Sequence, residues 1–190
     1  SDERESKKLF TAQADLTAEA DVRSFVALVQ KQFGAVDCLI NLAGGYAGGN
    51  TIAEVSLDEW ESMMSLNLRT TFLMCREVLK SMLARKAGRI INISAMPAIL
   101  SGAKKGPYAI SKRAVISLTE IIADEVKGSG ITANAIAPSI ILTDANKTSM
   151  PAADVQKWVT PEEIAGVILF LCSDEARSIN GNTIKVFGGV

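Results

Sequence analysis

A three-layer α/β fold around a doubly wound parallel sheet is predicted by three features of the sequence. Short apolar runs alternate with longer amphipathic ones, two of the short runs are apolar on both faces, and the longer runs carry helix-boundary residues at their ends. The strand candidates are residues 8–14, 36–41, 89–94, 131–137 and 183–187, each short, apolar and bounded by turn formers. Val36-Asp37-Cys38-Leu39-Ile40-Asn41 and Gly88-Arg89-Ile90-Ile91-Asn92-Ile93-Ser94 lack the apolar/polar alternation of a half-exposed strand. A parallel sheet, covered by helices on both faces, needs strands of that kind. In 107–127, Ile110, Ala114, Val115, Leu118, Ile121, Ile122 and Val126 follow a 3.6-residue period, Pro107 suits the first turn, and Gly128 and Gly130 end the run. Thr160-Pro161-Glu162-Glu163 reads as an N-cap, a first-turn proline and two acids that complement the helix dipole ahead of the apolar 164–172. Residues 18–33 and 57–85 supply the remaining helices. Alternation of this kind implies right-handed crossovers, and ligands then sit beyond the carboxyl ends of the strands.

Composition bounds the chemistry. A chain of 190 residues with 48% hydrophobic content is one domain with a sizeable core. Twenty Lys and Arg balance 21 Asp and Glu for a net charge of -1, so no global field draws nucleic acid or an anionic membrane, and a small-molecule partner is expected. The first eight residues are charged where a signal peptide needs an apolar run, and no apolar stretch reaches the ~20 residues of a membrane span. A cytoplasmic location is expected. Cys38, Cys75 and Cys172 are odd in number and widely spaced, which argues for buried thiols over a disulfide framework or a metal cluster. There is no histidine, which excludes Ser-His-Asp and Cys-His machinery and His-ligated zinc, and no metal site is expected.

Tyr108 and Lys112 become the leading candidates. Four-residue spacing puts a phenol and an ammonium on one helical face, and a fixed positive charge favours phenolate, drawing a pKa near ~10 toward the working range. The loop Asn41-Leu42-Ala43-Gly44-Gly45-Tyr46-Ala47-Gly48-Gly49-Asn50 follows a strand, and its glycines let the backbone approach a flat ligand. Ser94 and Ala95 end the next strand, and Pro138-Ser139-Ile140-Ile141-Leu142-Thr143 ends the one after it. These loops are expected to converge with Tyr108 and Lys112 on one crevice.

In order and spacing these motifs resemble the short-chain dehydrogenase/reductase family over nearly the whole chain, which implies a single Rossmann-like domain over 1–190 and NADH or NADPH as cofactor. Asp15-Leu16 resembles the family's adenine-contacting pair, and Asn41-Leu42-Ala43-Gly44 its Asn-Asn-Ala-Gly segment. Asn67 resembles the helix Asn of the catalytic tetrad, Tyr108 and Lys112 the catalytic dyad, and Pro138 to Thr143 the segment beside nicotinamide. The resemblance thus implies Tyr108, Lys112 and Asn67 as catalytic residues. Asp15, Leu16, Asn41, Ala43, Gly44, Tyr108, Lys112, Pro138, Ser139, Ile141 and Thr143 are implied at the cofactor, and Tyr46, Ser94, Ala95, Asn146 and Met150 at the substrate. It also implies a homodimer or homotetramer built through helices 57–85 and 107–127.

Two departures shape the functional expectation. The family's catalytic Ser lies thirteen residues before the Tyr, and that position is Ala95, with Ser94 on the opposite face of the strand. The dihydropteridine reductase branch is similar in carrying Ala there, and its Gly-Gly-Trp-Ala-Gly-Gly-Asn resembles Gly44 to Asn50, with Tyr46 for Trp. Residues 147–154, leading to Trp158 and Thr160-Pro161, resemble the same branch, whereas Asn67 matches the general family better. The expected activity is therefore NAD(P)H-dependent reduction of a pterin-like acceptor, with Tyr108 as proton donor. The alternatives are a general carbonyl or alcohol dehydrogenase with Ser94 in place of the missing Ser, and a non-catalytic interaction module. Secondly, no Thr-Gly-x-x-x-Gly-x-Gly loop precedes the first assigned strand, so the first βαβ unit of the family's sheet is expected to be absent from the chain.

Overall fold

The computed structural model describes residues 9–190, and the charged run 1–8 lies outside the described residues. Four strands, β1 (Cys38–Asn41), β2 (Gly88–Ile93), β3 (Ile131–Pro138) and β4 (Thr183–Val186), form one sheet in the order β1-β2-β3-β4, every pair parallel. The helices are α1 (Glu19–Phe33), α2 (Leu57–Met63), α3 (Thr70–Arg85), α4 (Gly106–Glu125), α5 (Asp144–Ser149) and α6 (Pro161–Cys172). Because all strands run the same way, their carboxyl ends share one edge of the sheet, and the loops after β1, β2 and β3 emerge together there.

Two-residue alternation sorts the core into two layers. Leu39, Ile90, Ile131 and Ala133 face α1, α3 and α4, packing with Val22, Val26, Leu73, Val78, Met82 and Ile122. Ile40, Ile91 and Ile136 face the other way and pack under α6 with Leu171. The sheet is thus covered on both sides, as its apolar strands require. β1 to β2 and β2 to β3 connect over the first face, whereas β3 to β4 connects through α6 on the second while stepping in the same direction. The last connection has the opposite hand to the other two, a departure from the uniform right-handedness expected of such units.

Helix boundaries follow the sequence signals. Thr160 caps α6 by accepting from the Glu163 amide while the Glu163 carboxylate accepts from the Thr160 amide, a complete capping box. Pro107 sits in the first turn of α4. The expected helix 57–85 is continuous but not uniform, since a π-helical segment, Met64–Arg69, separates α2 from α3. Residues 9–14, expected as a strand, have no regular structure. An apolar run becomes a strand only by pairing, and no strand of the sheet pairs with this one; Phe10 instead packs edge-on against Phe33, 6.4 Å between ring centroids.

A chain of buried amides stitches β1, β2, α3 and α4 together. Asn41 Nδ2 donates to Asn92 Oδ1 (2.8 Å) and to Cys75 Sγ (3.3 Å), and Asn92 Nδ2 donates to Thr119 Oγ1 (2.9 Å). Asn92 is fully buried. Asn92→Leu would leave the Asn41 amide short of a partner in a dry core, and the expected cost is about 2 to 3 kcal/mol, read as a lower urea midpoint at unchanged m value.

Candidate active site

Tyr108 and Lys112 stand one turn apart at the start of α4, on the edge where the strands end. Lys112 is buried, and its Nζ donates to the Ile93 carbonyl at 3.0 Å, the last residue of β2. Among the described residues no carboxylate pairs with it. The loop after β1 crosses directly above: a Cβ on Gly44 would lie 2.7 Å from Asn67 Oδ1 and 3.0 Å from Lys112 Nζ. Only glycine fits there.

Asn67, fully buried in the π segment, holds that loop. Its Oδ1 accepts from the Gly45 amide (3.0 Å), while Nδ2 donates to the Gly45 carbonyl (3.1 Å) and to Ser111 Oγ (3.1 Å). Ser111 in turn donates to the Tyr108 carbonyl (2.8 Å). The Thr70 and Thr71 hydroxyls accompany the widened turn by donating to the Leu66 and Asn67 carbonyls. Sequence reasoning found Asn67 but missed Ser111 and the π turn. A serine three residues after Tyr108, on the same helical face, is the one sequence signal that could have pointed to Ser111.

The clamp aims Tyr46. Its ring meets that of Tyr108 edge to face, with centroids 4.9 Å apart at 82°. The loop is tied down beyond it by the Gly49 amide donating to the Lys104 carbonyl (2.8 Å), and Gly48 leaves room for the phenol, since a Cβ there would sit 2.6 Å from Tyr46 Oη. Tyr46 is otherwise exposed, a free aromatic face beside Tyr108.

Ser94 and Ala95 part company as strand geometry requires. Ser94 is buried and its Oγ donates to the Lys112 carbonyl at 2.8 Å, so that hydroxyl is committed to the backbone of α4. Ala95, also buried, takes the following extended position and brings no hydroxyl. After β3, Ser139 Oγ donates to the Phe187 carbonyl (2.8 Å), Ile141 bridges to Val159, and Thr143 caps α5. Asn146 Nδ2 donates back to the Ile141 carbonyl (2.8 Å), and Met150 follows the end of α5, half-buried. These residues build the wall after Pro138.

Asn41, Asp15 and Leu16, expected at the cofactor, also serve the fold. The Asn41 side chain points into the core network, so only its backbone and the exposed Ala43 and Gly44 face the edge. The Asp15 carboxylate is held by the Thr17 hydroxyl (2.7 Å) and amide (2.9 Å), which keep its pKa below the ordinary value, and Leu16 packs on the first core layer. Both bonds use Oδ1, and Asp15 itself is exposed.

The electrostatics reverse one expectation. Burial pushes Tyr108 up to about 12, with a smaller contribution from Tyr46, while burial alone pulls Lys112 down to about 8. The depression of the phenol by Lys112 is not found: burial raises the phenol, and the ammonium turns to the Ile93 carbonyl. Tyr108 therefore holds its proton at neutral pH. A groove of about 800 Å³, lined by Glu120, Lys127, Thr132 and Arg177, opens at the amino end of β3, remote from Tyr108. Its lining carries opposed charges and none of the groups described above.

A family model described as enoyl-(acyl carrier protein) reductase matches residues 2–190. The 2-(R)-hydroxypropyl-CoM dehydrogenase of Xanthobacter autotrophicus is 31% identical over 193 residues, covering 95% of this chain and 77% of the relative. The 3-oxoacyl-(acyl-carrier-protein) reductase FabG of Vibrio cholerae is 33% identical over 187 residues, covering 93% and 75%. Among solved structures, ElxO with NADP bound superposes with a TM-score of 0.88 at 28% identity, covering 94% of this chain and 76% of that one.

A folded-state pKa of about 8 for Lys112, against 10.5 ordinarily, means the unfolded chain binds the extra proton between those values, so stability rises with pH across that window. Below it the full penalty applies. Lys112→Met is expected to be more stable than the native chain at pH 7 by up to about 3 kcal/mol, with the gain vanishing near pH 10.5, as measured by urea unfolding at both pH values.

Proposed function

The chain belongs to the short-chain dehydrogenase/reductase family of NAD(P)-dependent oxidoreductases, and from that premise we propose that it reduces an activated, conjugated acceptor of the quinonoid dihydropterin type, with Tyr108 as the proton donor. One observation carries the reading: position 95 has no hydroxyl, and the neighbouring Ser94 hydroxyl is committed to the Lys112 carbonyl. An unactivated ketone needs a second donor on its developing oxyanion, and loss of one typically costs ~3 kcal/mol or more. A quinonoid dihydropterin already accepts hydride readily, so positioning and one proton suffice.

The residues present fit the nicotinamide and ribose half of a dinucleotide. Glycine at 44 leaves a cradle that a Cβ would fill, directly above Lys112, whose ammonium has donors to spare beyond the Ile93 carbonyl. Backbone at Ala43 and Gly44, with the Pro138 to Thr143 segment, would line that half, and Lys112 would hold ribose hydroxyls. The bound cofactor supplies the hydride. Tyr108, kept protonated by burial, gives its proton to the substrate atom that becomes basic, and Tyr46 offers its exposed face to a flat ring. A protonated phenol suits the reductive direction. Asn67 acts on Tyr46 through Gly45, as a positioning residue.

A second reading, a general carbonyl or alcohol dehydrogenase, is favoured by the names of the relatives, one a dehydrogenase of a hydroxypropyl compound and one a 3-oxoacyl reductase. We take 1–190 as a single Rossmann-type domain spanning about three quarters of those relatives, working in the cytoplasm. Among the described residues no helix is long and apolar enough to cross a membrane. We also infer a homodimer or homotetramer through α2, α3 and α4. Leu66, Phe72 and Leu83 on one side and Ile110 and Ile121 on the other are exposed, and an apolar groove between Met64, Leu68, Phe72 and Leu118 joins the two.

Saturable quenching by NADPH or NADH, followed by turnover of quinonoid 6-methyl-dihydropterin, is the expected result. Tyr108→Phe should lower kcat by roughly 100-fold or more, and Ala95→Ser should leave pterin turnover within a few-fold while raising that of a plain ketone by about 100-fold. Ketone turnover by the native chain that exceeds pterin turnover, and is unmoved by Ala95→Ser, would instead establish the second reading. For the assembly, sedimentation is expected to show a dimer or larger species that Phe72→Glu combined with Ile121→Glu converts to monomer; an unchanged mass would exclude these helices.

A further inference from the structure

The three cysteines, far apart in sequence, are not equivalent in space. Cys75 is sealed in the first core layer among Asn41 and Asn92. Cys38 and Cys172 are both half-buried. Cys38 opens β1 and, by the alternation of a strand, points the same way as Ile40, which packs in the layer under α6 that also contains Cys172. Cys172 ends α6. Arg89, the register partner of Cys38 on β2, spans the two: its side chain shares the face of Ile91, and its Nη2 reaches Asp174, just past Cys172, at 3.4 Å. The Cys38 thiol is an immediate neighbour of the Cys172 thiol.

We propose that Cys38 and Cys172 form an oxidisable thiol pair, closed by peroxide or a thiol-specific oxidant into an intrachain disulfide that ties the amino end of β1 to the carboxyl end of α6. Arg89 gives the pair its electrostatics. Its Nε is buried without a hydrogen-bond partner among the described residues, an unspent cationic donor of the kind that favours thiolate. Burial first, and the Cys38 neighbour second, push the Cys172 thiol up against a smaller opposing pull from Arg89, so Cys172 is the partner that keeps its proton. The Cys38 thiolate takes one oxygen of hydrogen peroxide, the O–O bond breaks, and the departing hydroxide gains a proton to become water. Cys172 then attacks the resulting sulfenic sulfur, its own proton leaving with the displaced hydroxide as a second water. Two thiols and one peroxide give one disulfide and two waters, with both electrons ending on the peroxide oxygens.

The test is read on the native chain and does not depend on any variant folding. The purified protein is treated with hydrogen peroxide or diamide, alkylated, digested with trypsin without reduction and analysed by mass spectrometry. The expected result is a peptide containing Cys38 linked to one containing Cys172, reversible by dithiothreitol, in protein that remains monomeric on a non-reducing denaturing gel. Two of the three thiols should be lost, as titrated after unfolding, and the melting temperature should rise reversibly. Cys38→Ser should leave Cys172 free, and Cys75→Ser should leave the crosslink unchanged. A crosslink through Cys75, a disulfide-linked dimer, or three free thiols after an exposure that fully oxidises a free-thiol peptide would overturn the proposal.

Discussion

The Asn67 side chain is the constraint on which the site depends. A primary amide buried in a helix interior must find partners for its carbonyl oxygen and both N–H groups, and it finds them in three segments at once: Gly45 of the loop after β1, Ser111 of α4, and the sulfur of Met63 on its own helix. The π turn of 64–69 widens the helix where this amide leaves it. From that anchor the geometry propagates outward. Gly45 fixes Tyr46, Tyr46 meets Tyr108, and Ser111 holds the first turn of α4 that carries Tyr108 and Lys112.

The buried lysine follows from the same crowding. Among the described residues Lys112 has the Ile93 carbonyl for a partner and no carboxylate, so its charge is held at a cost and its pKa falls, while the half-buried tyrosine beside it keeps its proton. Such an arrangement stores polarity for a ligand. An acceptor that supplies hydroxyl or carbonyl oxygens to Lys112 would restore the hydration that folding removed, and a basic atom placed against Tyr108 would find a donor that needs no prior protonation.

Much of the fold was legible because burial on both faces of the strands and a 3.6-residue period leave direct traces in sequence, and β1 to β4, α1, α4 and α6 lie where those traces put them. What escaped detection depends on contacts between distant segments. Residues 9–14 have strand-like composition but no pairing partner, and the π turn arises from hydrogen bonds between Asn67 and segments remote in sequence. Tyr108 and Lys112 could be singled out from spacing, and Asn67 and Gly44 from the family resemblance, but the sign of the phenol shift could not, since it rests on burial and on where the ammonium points. Asn41 shows the same limit, for it ends β1 as expected yet its side chain belongs to the Asn92 network. The nearness of Cys38 and Cys172 likewise exists only once β1 and α6 share a layer.

The missing hydroxyl at position 95 gains its meaning from strand periodicity. Side chains at 94 and 95 emerge on opposite faces as β2 ends, so a serine at 94 cannot serve the site without rotating the strand end, and rotation would break the Ser94 bond to the Lys112 carbonyl. That bond couples β2 to the turn of α4 bearing Lys112, whose ammonium returns to the Ile93 carbonyl one residue earlier, so the two form a reciprocal latch between strand and helix. Moving Ser94 toward a substrate would therefore release the lysine from its anchor. The hydroxyl at 94 thus ties β2 to the turn of α4 that carries Lys112, and position 95 presents a methyl group beside Tyr108 and the aromatic face of Tyr46 only if the strand end keeps this register.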